Sequence, residues 1–199
     1  TFDNALPGTG WGMTETNAIG TGIGGIDYLE HPESSGRCSA VMELKVIDDK
    51  GNALAAGERG ELLIRGAAVF RGYWNRPDAN EETFLPGGWM RTGDVAYLDE
   101  EGYLYIVDRI KDLVIRGGEN MSPGEIEDVA ISHPGVRDAA AIGVPCREWG
   151  EKVVLLIVAD GDAPDPDELD DLIRERLRSS RVPSHVEVVD ELPYNETGK

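Results

Sequence analysis

Several groups of residues in this sequence have types and spacings that invite a chemical reading. Gly20-Thr21-Gly22-Ile23-Gly24-Gly25 has the glycine density of a loop that wraps phosphate with backbone amides. It lacks the Gly-Lys-Ser/Thr ending and a clean preceding strand, so a flexible loop is the expectation. His31, His133 and His185 stand in unrelated contexts, with no HExxH and no nucleophile elbow. Each is expected to be structural or solvent-exposed. The acidic stretch from Asp160 to Asp171 lacks EF-hand spacing and reads as a solvated loop and helix start. Cys38 and Cys146 are the only cysteines, far apart and in no CxxC pairing. They argue against a disulfide framework and a zinc site, and for a reducing compartment.

The elements that position such residues follow from length, charge and pattern. The chain has 199 residues, 38 acidic and 19 basic, for a formal net charge of -19. That length allows one large domain or two small ones, and 40% hydrophobic residues suffice for a core. The longest apolar run, Val153 to Ala159, fits a buried strand and falls far short of the ~20 residues of a membrane span. So negative a chain repels phosphate backbones and anionic lipid, which makes nucleic acid a poor partner. An anionic substrate has to be held by local groups. The first residues, Thr1-Phe2-Asp3-Asn4-Ala5, contain neither a basic leader nor an initiator methionine and read as the cut end of something longer.

The pattern predicts an α+β protein. Up to Asp108, short alternating segments at 41–47, 60–65 and 102–107, separated by glycine-rich turns, predict a small antiparallel sheet or barrel. Beyond Arg109 the order is strand, helix, strand, strand, helix, strand. Ser122-Pro123-Gly124-Glu125 and Asp165-Pro166-Asp167-Glu168 predict helix starts, each with proline at the first helical position. Leu169, Leu172, Ile173 and Leu177 form one apolar face of the second helix. Strands are expected at 139–144, 153–159 and 186–189. A domain boundary falls near Lys111, dividing 1–110 from 111–199.

Four separated segments carry a resemblance when taken together. They are Trp11-Gly12-Met13-Thr14-Glu15, then Met90-Arg91-Thr92-Gly93-Asp94, then Asp108-Arg109-Ile110-Lys111-Asp112 with Gly117-Gly118-Glu119-Asn120 and Glu125-Ile126-Glu127, and last Pro193 to Lys199. With Gly60 to Gly66 and Gly72-Tyr73-Trp74, their order and spacing resemble the carboxyl-terminal part of the adenylate-forming superfamily. That superfamily comprises acyl-CoA synthetases, peptide-synthetase adenylation domains and firefly luciferase. The resemblance implies that 1–110 is the β-rich end of a large amino-terminal domain and 111–199 a small mobile α+β domain. The family's upstream Ser/Thr/Gly-rich phosphate loop has no counterpart here, so this length alone is expected to be inactive.

The resemblance also implies roles. Trp11 takes the place of the aromatic, usually tyrosine, that stacks on adenine, with Gly12 beside it in the nucleotide site. Thr14 corresponds to a hydrogen-bonding partner of the α-phosphate, and Glu15 to a ligand of Mg²⁺. Asp94 and Arg109 correspond to ribose contacts. Lys111 falls at the hinge, and Lys199 at the lysine that reaches the nucleotide during adenylation. Gly117, Gly118 and Trp149 correspond to the surface that receives coenzyme A. The implied reaction joins a small carboxylic acid to AMP from ATP, then passes the acyl group to the CoA thiol after domain rotation. Gly-Gly-Glu-Asn followed by Met-Ser-Pro-Gly-Glu-Ile-Glu is similar to acyl-CoA synthetases of fatty acid metabolism. Amino-acid-activating domains, luciferase-like relatives and a non-catalytic interaction module are the alternatives. A cytoplasmic location is implied.

Overall fold

The computed structural model describes residues 6–194. Lys199 therefore lies outside the described residues. The chain divides into two compact units, with the division between Ile110 and Lys111.

The first unit is built on strands β1 (Gly8–Thr9), β2 (Thr21–Gly24), β3 (Gly36–Cys38), β4 (Met42–Ile47), β5 (Gly60–Gly66), β6 (Phe84–Leu85), β7 (Trp89–Leu98) and β8 (Tyr103–Arg109). Two short helices, α1 (Ile26–Glu30) and α2 (Pro77–Thr83), interrupt the series. All pairs are antiparallel, in the order β1-β2-β3-β8-β7-β5-β4, with β6 added to β7. The sheet is open, so of the two expected forms the barrel is not the one adopted. Its core holds the inward residues of alternating strands, among them Val46, Leu62, Ile64, Met90, Ala96 and Leu104.

One expectation is corrected here. The segment Gly20 to Gly25 is not a flexible loop: Thr21–Gly24 is strand β2, paired with β1 through Thr9↔Ile23 and with β3 through Thr21↔Cys38. The glycines nearby serve close approach of backbones. A Cβ on Gly10 would stand 2.5 Å from the Thr21 carbonyl oxygen, so only glycine admits that packing.

The second unit contains β9 (Val114–Arg116), β10 (Glu119–Met121), α3 (Pro123–Ile131), β11 (Val136–Cys146), β12 (Gly150–Ala159), α4 (Pro166–Arg176) and β13 (His185–Val188). Strand order is β10-β9-β12-β11, and β13 lies parallel to β12 after the crossover through α4. Ser122 Oγ accepts the Glu125 amide at 3.4 Å and Asp165 Oδ1 the Asp167 amide at 3.1 Å, so both predicted caps form. Leu169 and Ile173 of α4 are fully buried against Val153, Leu155 and Ile157 of β12, with Leu172 and Leu177 partly buried beside them. The three histidines make local contacts: His31 stacks on Tyr103, His133 Nδ1 accepts the Gly135 amide, and His185 meets Glu187.

Candidate functional site

Side chains of strand β7 alternate between inward and outward, and Met90, Thr92, Asp94 and Ala96 all face inward. A carboxylate thereby sits on a core-facing register, with Asp94 2% exposed. Burial of a charge is costly unless donors meet it, and two do. Arg109 stands directly across the ladder on β8 and brings a guanidinium nitrogen 3.1 Å from Oδ1. Trp11 donates its indole N–H to Oδ2 at 2.9 Å. Thr92 ties this stretch of β7 to β5, since its hydroxyl donates to the Leu62 carbonyl and accepts the Asp94 amide.

Burial raises the Asp94 carboxyl above the usual carboxylate range; Arg109, then Trp11 and Thr92, pull it back without cancelling that rise. Beyond its contacts with Arg109, Trp11 and Thr92, the carboxylate keeps lone-pair capacity for a further donor such as a sugar hydroxyl. The Arg109 side chain is 47% exposed and can meet a ligand while keeping its hold on Asp94.

Trp11 is half-buried, packed on the core of the first unit. Past Gly12 the chain makes a 3-10 turn, Thr14–Thr16, pinned by the wholly buried Thr16, whose hydroxyl donates to the Met13 carbonyl. Thr14 is exposed. The Glu15 carbonyl accepts the Phe70 amide at 2.8 Å, and its Oε1 accepts the Tyr73 hydroxyl at 2.8 Å. Glu15 therefore offers one fixed carboxylate whose second oxygen is left for a hard cation. Among the described residues no group of three or more His, Cys, Asp or Glu side chains could hold a metal ion. A lone carboxylate suits Mg²⁺, which takes few protein ligands and completes its shell with water and phosphate oxygens.

In the second unit, β9 and β10 form a hairpin in which Arg116 faces Glu119 and Gly117-Gly118 make the turn. Both glycines have positive φ, 60° and 83°, as a tight two-residue turn requires. The Gly117 amide donates to the Trp149 carbonyl at 2.7 Å, and a Cβ on Gly117 would lie 3.1 Å from the indole ring. A groove of about 260 Å³ opens there, lined by Arg116, Gly117, Glu119, Met121, Trp149 and Ser180. Trp149 is half-exposed along it. Arg116 donates to the Ser180 carbonyl, and Glu119 pairs with Arg181 at 2.9 Å, which fixes the groove's rim. Lys111 is exposed in a 3-10 turn, Ile110–Asp112.

The structure thus brings together Trp11, Asp94 and Arg109 as one bonded cluster, and Gly117 with Trp149 as another. Thr92 and Tyr73 build the site, although the motif segments that contain them assign neither a role. The period-2 pattern of Met90-Arg91-Thr92-Gly93-Asp94 carried a signal for Thr92, because it puts Thr92 and Asp94 on one face. Nothing in the sequence links Tyr73 to Glu15 across 58 positions.

Known proteins match this architecture in chain order. The sequence model described as "AMP-binding enzyme" matches residues 2–74, and that described as "AMP-binding enzyme C-terminal domain" matches residues 125–199. A long-chain-fatty-acid–CoA ligase of Escherichia coli O157:H7 is 42% identical over 190 residues, covering 96% of this chain and 34% of that protein. The o-succinylbenzoate CoA synthetase MenE from Bacillus subtilis, solved with its acyl-adenylate intermediate, superposes with a TM-score of 0.87 at 37% identity. That alignment covers 96% of this chain and 39% of MenE. The amide bond synthetase McbA from Marinactinospora thermotolerans gives a TM-score of 0.86 at 36% identity, over 96% of this chain and 40% of McbA. The chain therefore spans between a third and two fifths of the length of the relatives it matches. With both family models met in chain order and relatives at 36–42% identity aligned over 96% of its length, the chain belongs to the AMP-binding, adenylate-forming enzymes.

Proposed function

We propose that this chain is the carboxyl-terminal part of an AMP-forming acid–CoA ligase. The observation that carries the reading is the Asp94 carboxylate, buried yet gripped by Arg109 and by the ring nitrogen of Trp11. In this reading the adenine lies on the Trp11 ring beside Gly12, and Asp94 accepts the ribose hydroxyls while Arg109 steadies it. Thr14 donates to the α-phosphate. Glu15 would hold Mg²⁺, which when bound would supply positive charge beside the phosphates.

A carboxylate oxygen of the acid attacks the α-phosphorus and the bond to pyrophosphate breaks. Lys199 supplies positive charge where the negative charge builds. Rotation about Lys111 then exchanges Lys199 for the Gly117-Gly118 turn. The thiol of coenzyme A attacks the acyl carbonyl, loses its proton and expels AMP. The glycine turn and the half-exposed Trp149 leave a backbone-lined groove for a thin chain such as pantetheine. No described helix is long and apolar enough to cross a membrane. We assign the protein to the cytoplasm on its two free thiols, Cys38 and Cys146, which suit a reducing compartment.

The full-length protein, given ATP, Mg²⁺ and a panel of carboxylic acids from aromatic to long-chain, should release AMP only when CoA is present. Release that requires an amine and ignores CoA would replace this assignment by amide synthesis, the chemistry for which McbA is named.

A further inference from the structure

A chain of contacts in the first unit ends on Glu15 and is not accounted for by the nucleotide wall. Asn80, on α2, clamps the backbone of Tyr73 from both sides: its Oδ1 accepts the Tyr73 amide at 2.7 Å and its Nδ2 donates to the Tyr73 carbonyl at 3.0 Å. Such a two-point amide grip fixes one residue's position and orientation together. The adjoining Gly72 has φ of +141°, and a Cβ there would stand 2.9 Å from Asn80 Oδ1, so glycine keeps the grip open. The Tyr73 ring meets Phe70 edge-on at 4.8 Å, and Phe70 packs on Phe84 at 5.5 Å. Phe70 also holds the backbone of Glu15 through its amide. The Tyr73 hydroxyl then reaches Oε1 of the same glutamate at 2.8 Å.

A half-buried surface glutamate needs none of this merely to stay hydrated. Two anchors on one residue, main chain and side chain, make sense if its carboxylate has to be aimed. We infer that Tyr73, set by Asn80, is a positioning residue that orients the Glu15 carboxylate toward the divalent cation accompanying the nucleotide. This rests on the assignment of Glu15 proposed above. By occupying Oε1, the hydroxyl turns Oε2 outward and restricts Glu15 to single-oxygen ligation, as suits the small octahedral shell of Mg²⁺. Partners of metal ligands commonly contribute 10–100-fold to metal affinity, about 10-fold being expected for one neutral hydroxyl.

The test uses full-length protein and Mn²⁺ as the probe, titrated by electron paramagnetic resonance with a non-reactive methylene analogue of ATP, alongside the Mg²⁺ dependence of pyrophosphate exchange. Tyr73→Phe should weaken Mn²⁺ binding to the protein–analogue complex about 10-fold. It should raise the Mg²⁺ needed for half-maximal exchange similarly, with excess Mg²⁺ restoring the rate. Asn80→Ala, which leaves the hydroxyl in place, should move both quantities in the same direction. Glu15→Gln separates the two claims. If Glu15→Gln shifts the metal dependence and Tyr73→Phe does not, the positioning role is overturned and the ligand assignment stands. If Glu15→Gln shifts nothing, the ligand assignment falls and the positioning role with it. A loss of thermal stability in Tyr73→Phe with unchanged Mn²⁺ affinity would also overturn the inference.

Discussion

Replacing Asp94 by asparagine keeps the side chain's shape and removes its charge. Because burial outweighs Arg109, Trp11 and Thr92 in setting this group's ionisation, ionising it costs more in the folded chain than in the unfolded one. Asparagine removes the charge but turns a donor NH2 toward either the Trp11 indole N–H or the guanidinium of Arg109, which, with its side chain 47% exposed, stays hydrated. Relief from burying a charge and the loss of an acceptor oppose each other, so Asp94→Asn should unfold in urea within about 1 kcal/mol of the parent at pH 7. Nucleotide binding should change more. A hydrogen bond to a charged acceptor contributes about 1.5–3 kcal/mol, so losing one to a ribose hydroxyl should weaken AMP binding by roughly 10- to 150-fold in calorimetry on the full-length protein.

The pH dependence supplies an independent sign. A folded-state carboxyl above its unfolded value favours folding most below about pH 3.9, and that advantage fades as pH rises through the folded value. Lowering the pH from 7 should accordingly stabilise the parent relative to Asp94→Asn. A variant that loses more than about 2 kcal/mol at pH 7, or binds AMP as the parent does, would refute this account of the site.

Lys111→Pro in the full-length protein fixes φ and removes an amide hydrogen at the proposed pivot; one half-reaction should survive while the other slows severely, read by pyrophosphate exchange and single-turnover thioester formation. Lys199→Ala should slow adenylate formation by about 10²–10³ and leave thioester formation from pre-made acyl-adenylate nearly unchanged. Gly117→Ala imposes a side chain at φ of +60° and 3.1 Å from the Trp149 ring; the CoA-dependent step should fall several-fold with pyrophosphate exchange intact, and equal loss in both would point to misfolding.

Much of this architecture follows from local pattern. Strands β4, β5, β8 and β12 obey alternation or apolar runs, and α3 and α4 begin at Ser122 and Asp165 because proline and a cap acceptor leave few other choices. Strand β2 escaped because its stabilising partners are backbones. Glycines that look like loop residues in sequence allow main chains from three separate segments to approach. Among site residues, Trp11, Asp94 and Arg109 were reachable as motif members, yet the bond from Trp11 to Asp94 joins positions 83 apart and has no local signature. Tyr73 and Asn80 were invisible as site builders for the same reason: a tyrosine beside glycine and an asparagine in a short helix carry meaning only once folding has placed Glu15 within reach.

Strand β7 has a consequence for how this protein can change. Its inward face carries core and site in one file, with Met90 and Ala96 packing the sheet and Thr92 and Asp94 serving the carboxylate cluster. Deleting one residue between Met90 and Asp94 reverses inside and outside for everything beyond it, presenting Asp94 to solvent and Val95 to Arg109. Point substitution can explore this stretch, whereas a single-residue change of length cannot pass unnoticed. The pairing around the carboxylate is already irregular on both flanks: against β5 the register shifts between the pairs Glu61↔Val95 and Leu63↔Arg91, and against β8 it shifts between Val95 and Ala96. Such irregularities re-aim a side chain by taking up extra length in one strand. Against β5 the extra length lies in β7 and against β8 it lies in β8, so Asp94 meets Arg109 only in the register those two irregularities set, and a change of length there carries the carboxylate off its partner.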